Sequence, residues 1–464
     1  MRITTYNNIY IYFSYIAFIF LMLLHLNVNS ESLQGLGNNI KQPVLEIPLN
    51  SNLIGSNNGE GLVKKNGCKL PKNIKNIKNI KPKVSFDEWL DLFKIEALKN
   101  GISNDIVEIV FRDISPIQKV IKLDRRQTEY SITFHKYLKN SISIKRIKRG
   151  QDMLKKYHTL LNEIEKRYGV QAQILISLWA MESNFGRNMG GFSTINTLAT
   201  LAHDGRRHEF FRNELICALS ILEEEHISFD KMKSSWAGAM GQPQFMPSTF
   251  FYYSADGDAD NKKDIWHNKT DVFASAANYL KEIGWKPGER WGLEVKLPKK
   301  FDPYHARLAE EKSIKNWHKL GVKKANGQPL SINSKMKGSI ILPSGIKGPA
   351  FLVFHNFRVI RDWNRSINYA LTIGYLSDRL IGGRRLVGKA PKGEKALSRE
   401  QALSLQRNLN KLGFYKEKID GMIGLKSRHA IREYQRTQGM PADAYPSPQL
   451  ILQVQKSASL LESE

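Results

Sequence analysis

Residues 171–185 read Gln-Ala-Gln-Ile-Leu-Ile-Ser-Leu-Trp-Ala-Met-Glu-Ser-Asn-Phe and carry a single carboxyl, Glu182. On a helix, Ile174, Leu175, Leu178 and Glu182 share one face, because steps of three and four residues return to it. A carboxylate among apolar side chains is costly unless it is paired or kept protonated. Desolvation raises its pKa, and an acid still protonated near neutrality can donate to a leaving oxygen. A structural glutamate satisfied by an arginine or a helix N-terminus fits the same position, so the helix alone leaves two readings open. Gly186, Gly190 and Gly191 then end the helix and leave its end accessible, which suits a cleft.

The second constellation spans 234–248, Ser-Ser-Trp-Ala-Gly-Ala-Met-Gly-Gln-Pro-Gln-Phe-Met-Pro-Ser. Glycines let backbone approach a ligand closely. Gln244 offers a neutral polar ligand both a donor and an acceptor. A glycan needs such groups beside aromatic platforms such as Trp236 and Tyr253. A tight helix-packing loop would use the same small residues. Beyond it, Asp256, Asp258 and Asp260 match positions 1, 3 and 5 of an EF-hand loop, whose oxygen ligands suit Ca²⁺. Two departures stand out. Asn261 holds the usual glycine position, and His267 stands where a bidentate Glu belongs. A solvated acidic turn is the competing reading, and in either case the role is structural.

These residues sit in a chain whose apolar periodicity is helical from Phe86 to about Trp285, starting with Trp89, Leu90, Leu92, Phe93 and Ala97. Strand-like runs such as 339–342 and 350–354 follow between Gly and Pro turns. A helix is expected from Asn364 to Leu380. Residues 388–396 have the composition of a short linker. A module over 397–458 then carries helices with Ala402, Leu405, Leu409 and Leu412, and with Ala430, Ile431, Tyr434 and Gln435.

Ala180-Met181-Glu182-Ser183-Asn184-Phe185-Gly186 followed by 237–248 resembles the lytic murein transglycosylase B family. The likeness extends to Leu123-Asp124-Arg125-Arg126-Gln127 and Asn356-Phe357-Arg358-Val359-Ile360. It implies a mainly α, lysozyme-like catalytic domain over 85–387 with a small β-containing insertion. It also places Glu182 on the catalytic glutamate and Ser235, Gln244 and Asn364 on sugar-contacting positions. The implied reaction cleaves the bond between N-acetylmuramic acid and N-acetylglucosamine without water, Glu182 acting first as acid and then as base, to leave a 1,6-anhydro sugar. No cofactor enters that chemistry. The resembled family's EF-hand-like loop has a later Asp as ligand. Asp271 fits that place, and the Lys262 carbonyl would complete five protein ligands. Residues 405–424 resemble the type 1 peptidoglycan-binding domain, although Asp443-Ala444 stands where that family tends to have Asp-Gly. A helical packing module is the other reading of that segment. A hydrolytic muramidase on the same scaffold and a non-catalytic wall-binding protein remain the rival functions.

The N-terminus bears on the partner. Residues 1–30 read as an export signal, with Arg2, an apolar run from about Ile9 to Leu26, and small residues permitting cleavage after Ser30. An uncleaved anchor is the alternative, since the run approaches the roughly 20 residues that span a bilayer. No cysteine follows that could take a lipid, so no stable membrane anchor is expected. Residues 31–84 read as a low-complexity linker. With 70 Lys and Arg against 44 acidic residues, the formal charge of +26 favours a polyanion without choosing one. Export points to the periplasm and to wall glycan strands, not nucleic acid, with further cell-envelope partners unnamed. Cys68 and Cys217 could pair after export, but Cys217 lies in an apolar helical run that suits a buried, inert thiol.

Overall fold

The computed structural model describes residues 68, 84–126, 132–204, 207–331 and 335–461, so the expected export signal lies outside the described residues. Helices dominate, as periodicity predicts. The first, Phe86–Lys99, starts with a reciprocal capping box between Ser85 and Glu88 and buries Phe86, Trp89, Leu90, Phe93 and Ala97. Three further helices, Ala172–Ser183, Thr194–Asp204 and His208–Glu223, are almost wholly buried around one large core. The first of these packs against the helix Ile367–Leu380. No helix among the described residues is long and apolar enough to cross a membrane.

The β insertion is a five-stranded sheet. Its order is Lys312–Ser313, Lys337–Ile341, Ala350–Val353, Gly292–Lys296, Lys323–Lys324, every pairing antiparallel. Both expected strand runs belong to it. It has a separate small core of Val295, Trp317, Ile340, Leu352 and Phe354. The expected helix from Asn364 to Leu380 runs Ile367–Leu380, and a helix not expected from the residues, His355–Trp363, precedes it. Asn364 is extended at φ −140° and ψ 116°, and this break becomes important at the site.

The C-terminal module has three helices, Arg399–Lys411, Leu425–Thr437 and Pro448–Leu460, around Leu405, Leu409, Ile431, Tyr434, Leu450 and Val454. Its last turn survives the missing glycine because Ala444 itself adopts φ 60°, its amide held by Gln435 Oε1 at 2.8 Å. The module is seated on the β insertion. The Arg432 guanidinium donates to the Ala306 carbonyl, and the Ile346 amide donates to Asp443 Oδ2, both at 2.9 Å.

One expectation is corrected. Cys217 is buried but is not a free thiol: it is disulfide-bonded to Cys68. Periodicity identified the apolar face of its helix but carried no information about which distant segment covers that face.

Candidate active site

Glu182 occupies the last turn of the helix Ala172–Ser183. Glu165 Oε2 anchors the start of that helix by accepting from the Ala172 amide at 3.1 Å. Its end is set by Asn184 and not by the following glycines. Asn184 and Phe185 take φ 51° and 62°, and both amides fold back onto the Trp179 carbonyl. Two consecutive left-handed non-glycine residues are strained, and here they turn the chain sharply just beyond the carboxyl. Gly186 completes the turn at φ 77°, where a Cβ would stand 2.4 Å from Gln242 Oε1.

The Glu182 side chain is 5% exposed. Trp363 Nε1 donates to its Oε1 at 2.9 Å, and the Tyr369 hydroxyl donates to the same oxygen. Oε2 has no hydrogen-bond partner among the described residues. Burial pushes the carboxyl up to about 7, against the opposing pull of the Tyr369 and Trp363 hydrogen bonds. No arginine and no second carboxylate contributes to that shift. The structural reading, a glutamate satisfied by an arginine or a helix N-terminus, therefore lacks its cation.

The two donors come from either side of the Asn364 break. Trp363 ends one helix. Tyr369 lies in the first turn of the next, where its amide donates to the capping hydroxyl of Ser366 at 3.3 Å. Asn364 Oδ1 accepts from the Ser366 amide at 3.1 Å, leaving the Asn364 amide NH₂ without a partner among the described residues. Tyr369 escaped the sequence reading because its partner is 187 residues away.

The Gln244 strip folds into a tight turn in which Met240 and Phe245 exchange backbone hydrogen bonds at 2.7 and 3.0 Å. Gln244 itself is left-handed, at φ 53°. Its Nε2 donates to Gly241 and Met189 carbonyls at 2.7 and 3.2 Å, while its buried Oε1 has no partner among the described residues. The Phe245 ring lies 5.4 Å from that of Trp363, so the strip abuts the residue that holds Glu182. The Tyr253 ring is tilted against that of Tyr279 at 4.8 Å, and Tyr279 lies 5.2 Å from Trp363. Trp236 is buried. The Ser235 hydroxyl accepts from Ala239 and Ala237 amides at 3.2 and 3.4 Å, which leaves its proton available to donate. The strip end is fixed by Glu214, a buried carboxyl that nothing in its local run of residues singles out. It accepts from the Ser248 amide and hydroxyl at 2.8 and 2.7 Å.

The acidic loop backs this strip, since Gln242 bonds the Ile265 and Trp266 carbonyls beyond it at 2.9 and 2.6 Å. Asp256, Asp258 and Asp260 bring one carboxylate oxygen each within 4.8 Å of one another. Asn261 takes the left-handed conformation, φ 66°, that the usual glycine would. Asp271 is buried and accepts from Gly257 and Asp264 amides at 2.7 Å each.

Against known proteins, a transglycosylase SLT domain matches residues 85–378. The chain belongs to the transglycosylase SLT family. The transglycosylase also carries a peptidoglycan binding domain over residues 398–452. It is 30% identical to membrane-bound lytic murein transglycosylase B of Escherichia coli (strain K12) over 255 residues, 54% of this chain and 68% of that relative. Its fold matches SltB3 from Pseudomonas aeruginosa, solved with NAG-NAM-pentapeptide, at TM-score 0.77 and 43% identity, covering 80% of this chain and 99% of that one. It also matches Escherichia coli Slt35, solved with calcium, at TM-score 0.54 and 26% identity over 63% of this chain and 92% of that one. The transglycosylase is thus a peptidoglycan-cleaving lyase on a lysozyme-like, mainly helical scaffold.

Proposed function

We propose that Glu182 is the single acid and base of this reaction. The supporting observation is the convergence of Trp363 and Tyr369 on Oε1, in a buried site that raises the carboxyl to about 7. That arrangement leaves Oε2 to carry the proton. Oε2 protonates the oxygen between N-acetylmuramic acid and N-acetylglucosamine, and positive charge develops at the anomeric carbon. The muramic acetamido carbonyl stabilises that charge in place of a carboxylate nucleophile. Glu182, now ionised, takes the proton of the sugar C6 hydroxyl as it closes on the anomeric carbon. The Gln244 Oε1, the Asn364 NH₂ and the Ser235 hydroxyl are the unsatisfied polar groups suited to hold the sugar. Because SltB3 was solved with NAG-NAM-pentapeptide, the substrate assigned here is a peptide-bearing glycan strand.

Mass spectrometry of fragments released from purified wall tests the reading. Anhydro ends are expected from the wild type, and Glu182→Gln is expected to lower the rate by about 10²–10⁴-fold, the range of general acid–base catalysis. Reducing ends in place of anhydro ends would transfer the assignment to a hydrolytic muramidase.

We infer that the loop is a structural Ca²⁺ site held by Asp256, Asp258 and Asp260, with the Lys262 carbonyl and Asp271 completing it. The clustered carboxylates and the left-handed Asn261 support this reading. Bound Ca²⁺ would supply charge that pins the loop behind the Gln244 strip and takes no part in bond cleavage. Calcium is expected to raise the melting temperature of the wild type and not that of Asp256→Asn. The export signal expected at residues 1–30 and the C-terminal module together support a periplasmic, wall-associated enzyme whose tail raises its local concentration on the strand.

A further inference from the structure

The turn just beyond Glu182 bears one cation and adjoins another, and the cleavage step uses neither. Arg187 lies two residues past Phe185, in a segment whose backbone is clamped. The Asn188 amide bonds the Ser183 carbonyl at 2.8 Å, and the Met189 carbonyl accepts from Gln244. Gly190 is pressed so closely on the strip that a Cβ would stand 2.0 Å from the Ser234 carbonyl oxygen. The Arg187 backbone is thereby fixed against the residues assigned to the sugar, while its side chain is exposed. From the facing helix Ile144–Lys156, half-buried Arg149 lays its guanidinium on the Phe185 ring, 4.8 Å from the centroid. Neither arginine forms an ion pair among the described residues. Burial, and after it repulsion from Arg187, holds the Arg149 guanidinium below the usual arginine range. Arg149 thus rests on the ring two residues before Arg187, and two guanidinium groups borne at one turn without a counter-charge are complementary to an anion with paired oxygens.

We propose that Arg149 and Arg187 form a carboxylate clamp for the peptide stem borne by the muramic residue in the Glu182 site. The inference rests on the proposed reading of that site, because the clamp is useful only if a peptide-bearing sugar lies there. In a peptide-bearing strand the muramic lactyl carboxyl is consumed in the amide to the stem, so the sugars offer neutral hydroxyl and acetamido groups and the free carboxylates belong to the stem. A bidentate guanidinium pair therefore favours strands whose stems keep free carboxylates over strands whose stem carboxylates are masked as amides.

The test uses the full chain on two substrates: peptide-bearing glycan strands, and the same strands after their stem carboxylates have been converted to amides, which leaves no free lactyl carboxylate on the sugar. For Arg187→Gln and for Arg149→Gln, the ratio of kcat/KM on free-carboxylate to amidated strands is expected to fall about tenfold, chiefly through KM, as loss of one charge-assisted contact implies. Arg149→Lys keeps a cation on the Phe185 ring, so it separates loss of the fork from loss of packing. It is expected to lower the same ratio while leaving the melting temperature near that of the wild type. An unchanged ratio in all three variants, or equal losses on both substrates, would overturn the clamp. Failure of the underlying site reading looks different, since Glu182→Gln would then still cleave both substrates.

Discussion

Trp363 Nε1 and the Tyr369 hydroxyl both donate to Glu182 Oε1, the indole at 2.9 Å, across a helix break centred on Asn364. Two donors on one oxygen stabilise the carboxylate without using the other oxygen. Burial outweighs them, and the carboxyl settles near 7. The site thus holds an acid that can give up its proton and take one back near neutral pH.

That balance predicts a pH profile. The free enzyme must be protonated to act, so kcat/KM falls as pH rises through about 7. Tyr369→Phe removes a hydrogen bond that favours the ionised form, so the alkaline limb moves upward, by about one pH unit if the bond is an ordinary charged one. The check is kcat/KM from pH 5 to 9 for both proteins. A downward shift would show that the hydroxyl does not act through ionised Glu182.

The same shift carries a stability cost. The Glu182 folded-state pKa, about 7, lies above the ordinary 4.5. The folded state then binds the proton more tightly than the unfolded chain does. Its contribution is fully favourable below about 4.5 and is lost as pH rises through 7. Burying the charged form costs on the order of 3 kcal/mol above that range. Glu182→Gln therefore is expected to melt higher than the wild type at pH 8 and close to it at pH 5. Melting curves at the two pH values decide it, and equal differences at both would refute the linkage.

Much of this site was legible in the residues, and the remainder was not for physical reasons. Glu182 stood out because a lone carboxyl interrupted an apolar helix. The Gln244 strip was visible as a cluster of glycines and amides, a local composition. Trp363 and Tyr369 were invisible as its partners because a tryptophan and a tyrosine on helices read as core. Only the extended Asn364 turns both toward one oxygen, and a helix expected to begin at Asn364 gives no sign of the separate helix that ends in Trp363. Glu214 was hidden for a related reason, since its two hydrogen bonds go to Ser248 on another helix. The strands were legible as 339–342 and 350–354, but their order needed tertiary structure.

The Cys68–Cys217 bond yields a third prediction. It closes a sequence separation of 149 residues, and Tyr252 fastens the same segment by donating to the Cys68 carbonyl at 2.8 Å. Cross-links over loops of this length remove about 5 kcal/mol of unfolded-state entropy in the chain model, with measured losses of roughly 2–5 kcal/mol. Reduction is expected to lower the unfolding free energy by that order. Cys68→Ser is expected to be equally weakened and indifferent to reductant. Urea unfolding with and without dithiothreitol makes the comparison, and a wild type insensitive to reductant would refute it.

The seat of the C-terminal module supplies the last prediction. Asp443 turns one oxygen inward, to Gln435 Nε2 and the Tyr445 amide at 2.9 Å each, and the other outward to the Ile346 amide. Arg432 makes the second polar contact, to Ala306. Asp443→Asn keeps the carbonyl that serves the module interior but cannot accept from both directions, so the outward bond is the one lost. Losing a charged hydrogen bond of this kind costs about 1.5–3 kcal/mol. The module then spends more time undocked, which frees the already largely exposed 388–396 segment to take the extended conformation a protease requires. Limited proteolysis is expected to cut that segment several-fold faster in Asp443→Asn than in the wild type, with far-ultraviolet circular dichroism unchanged. Equal cutting rates would mean that the contact between module and sheet does not depend on this carboxylate.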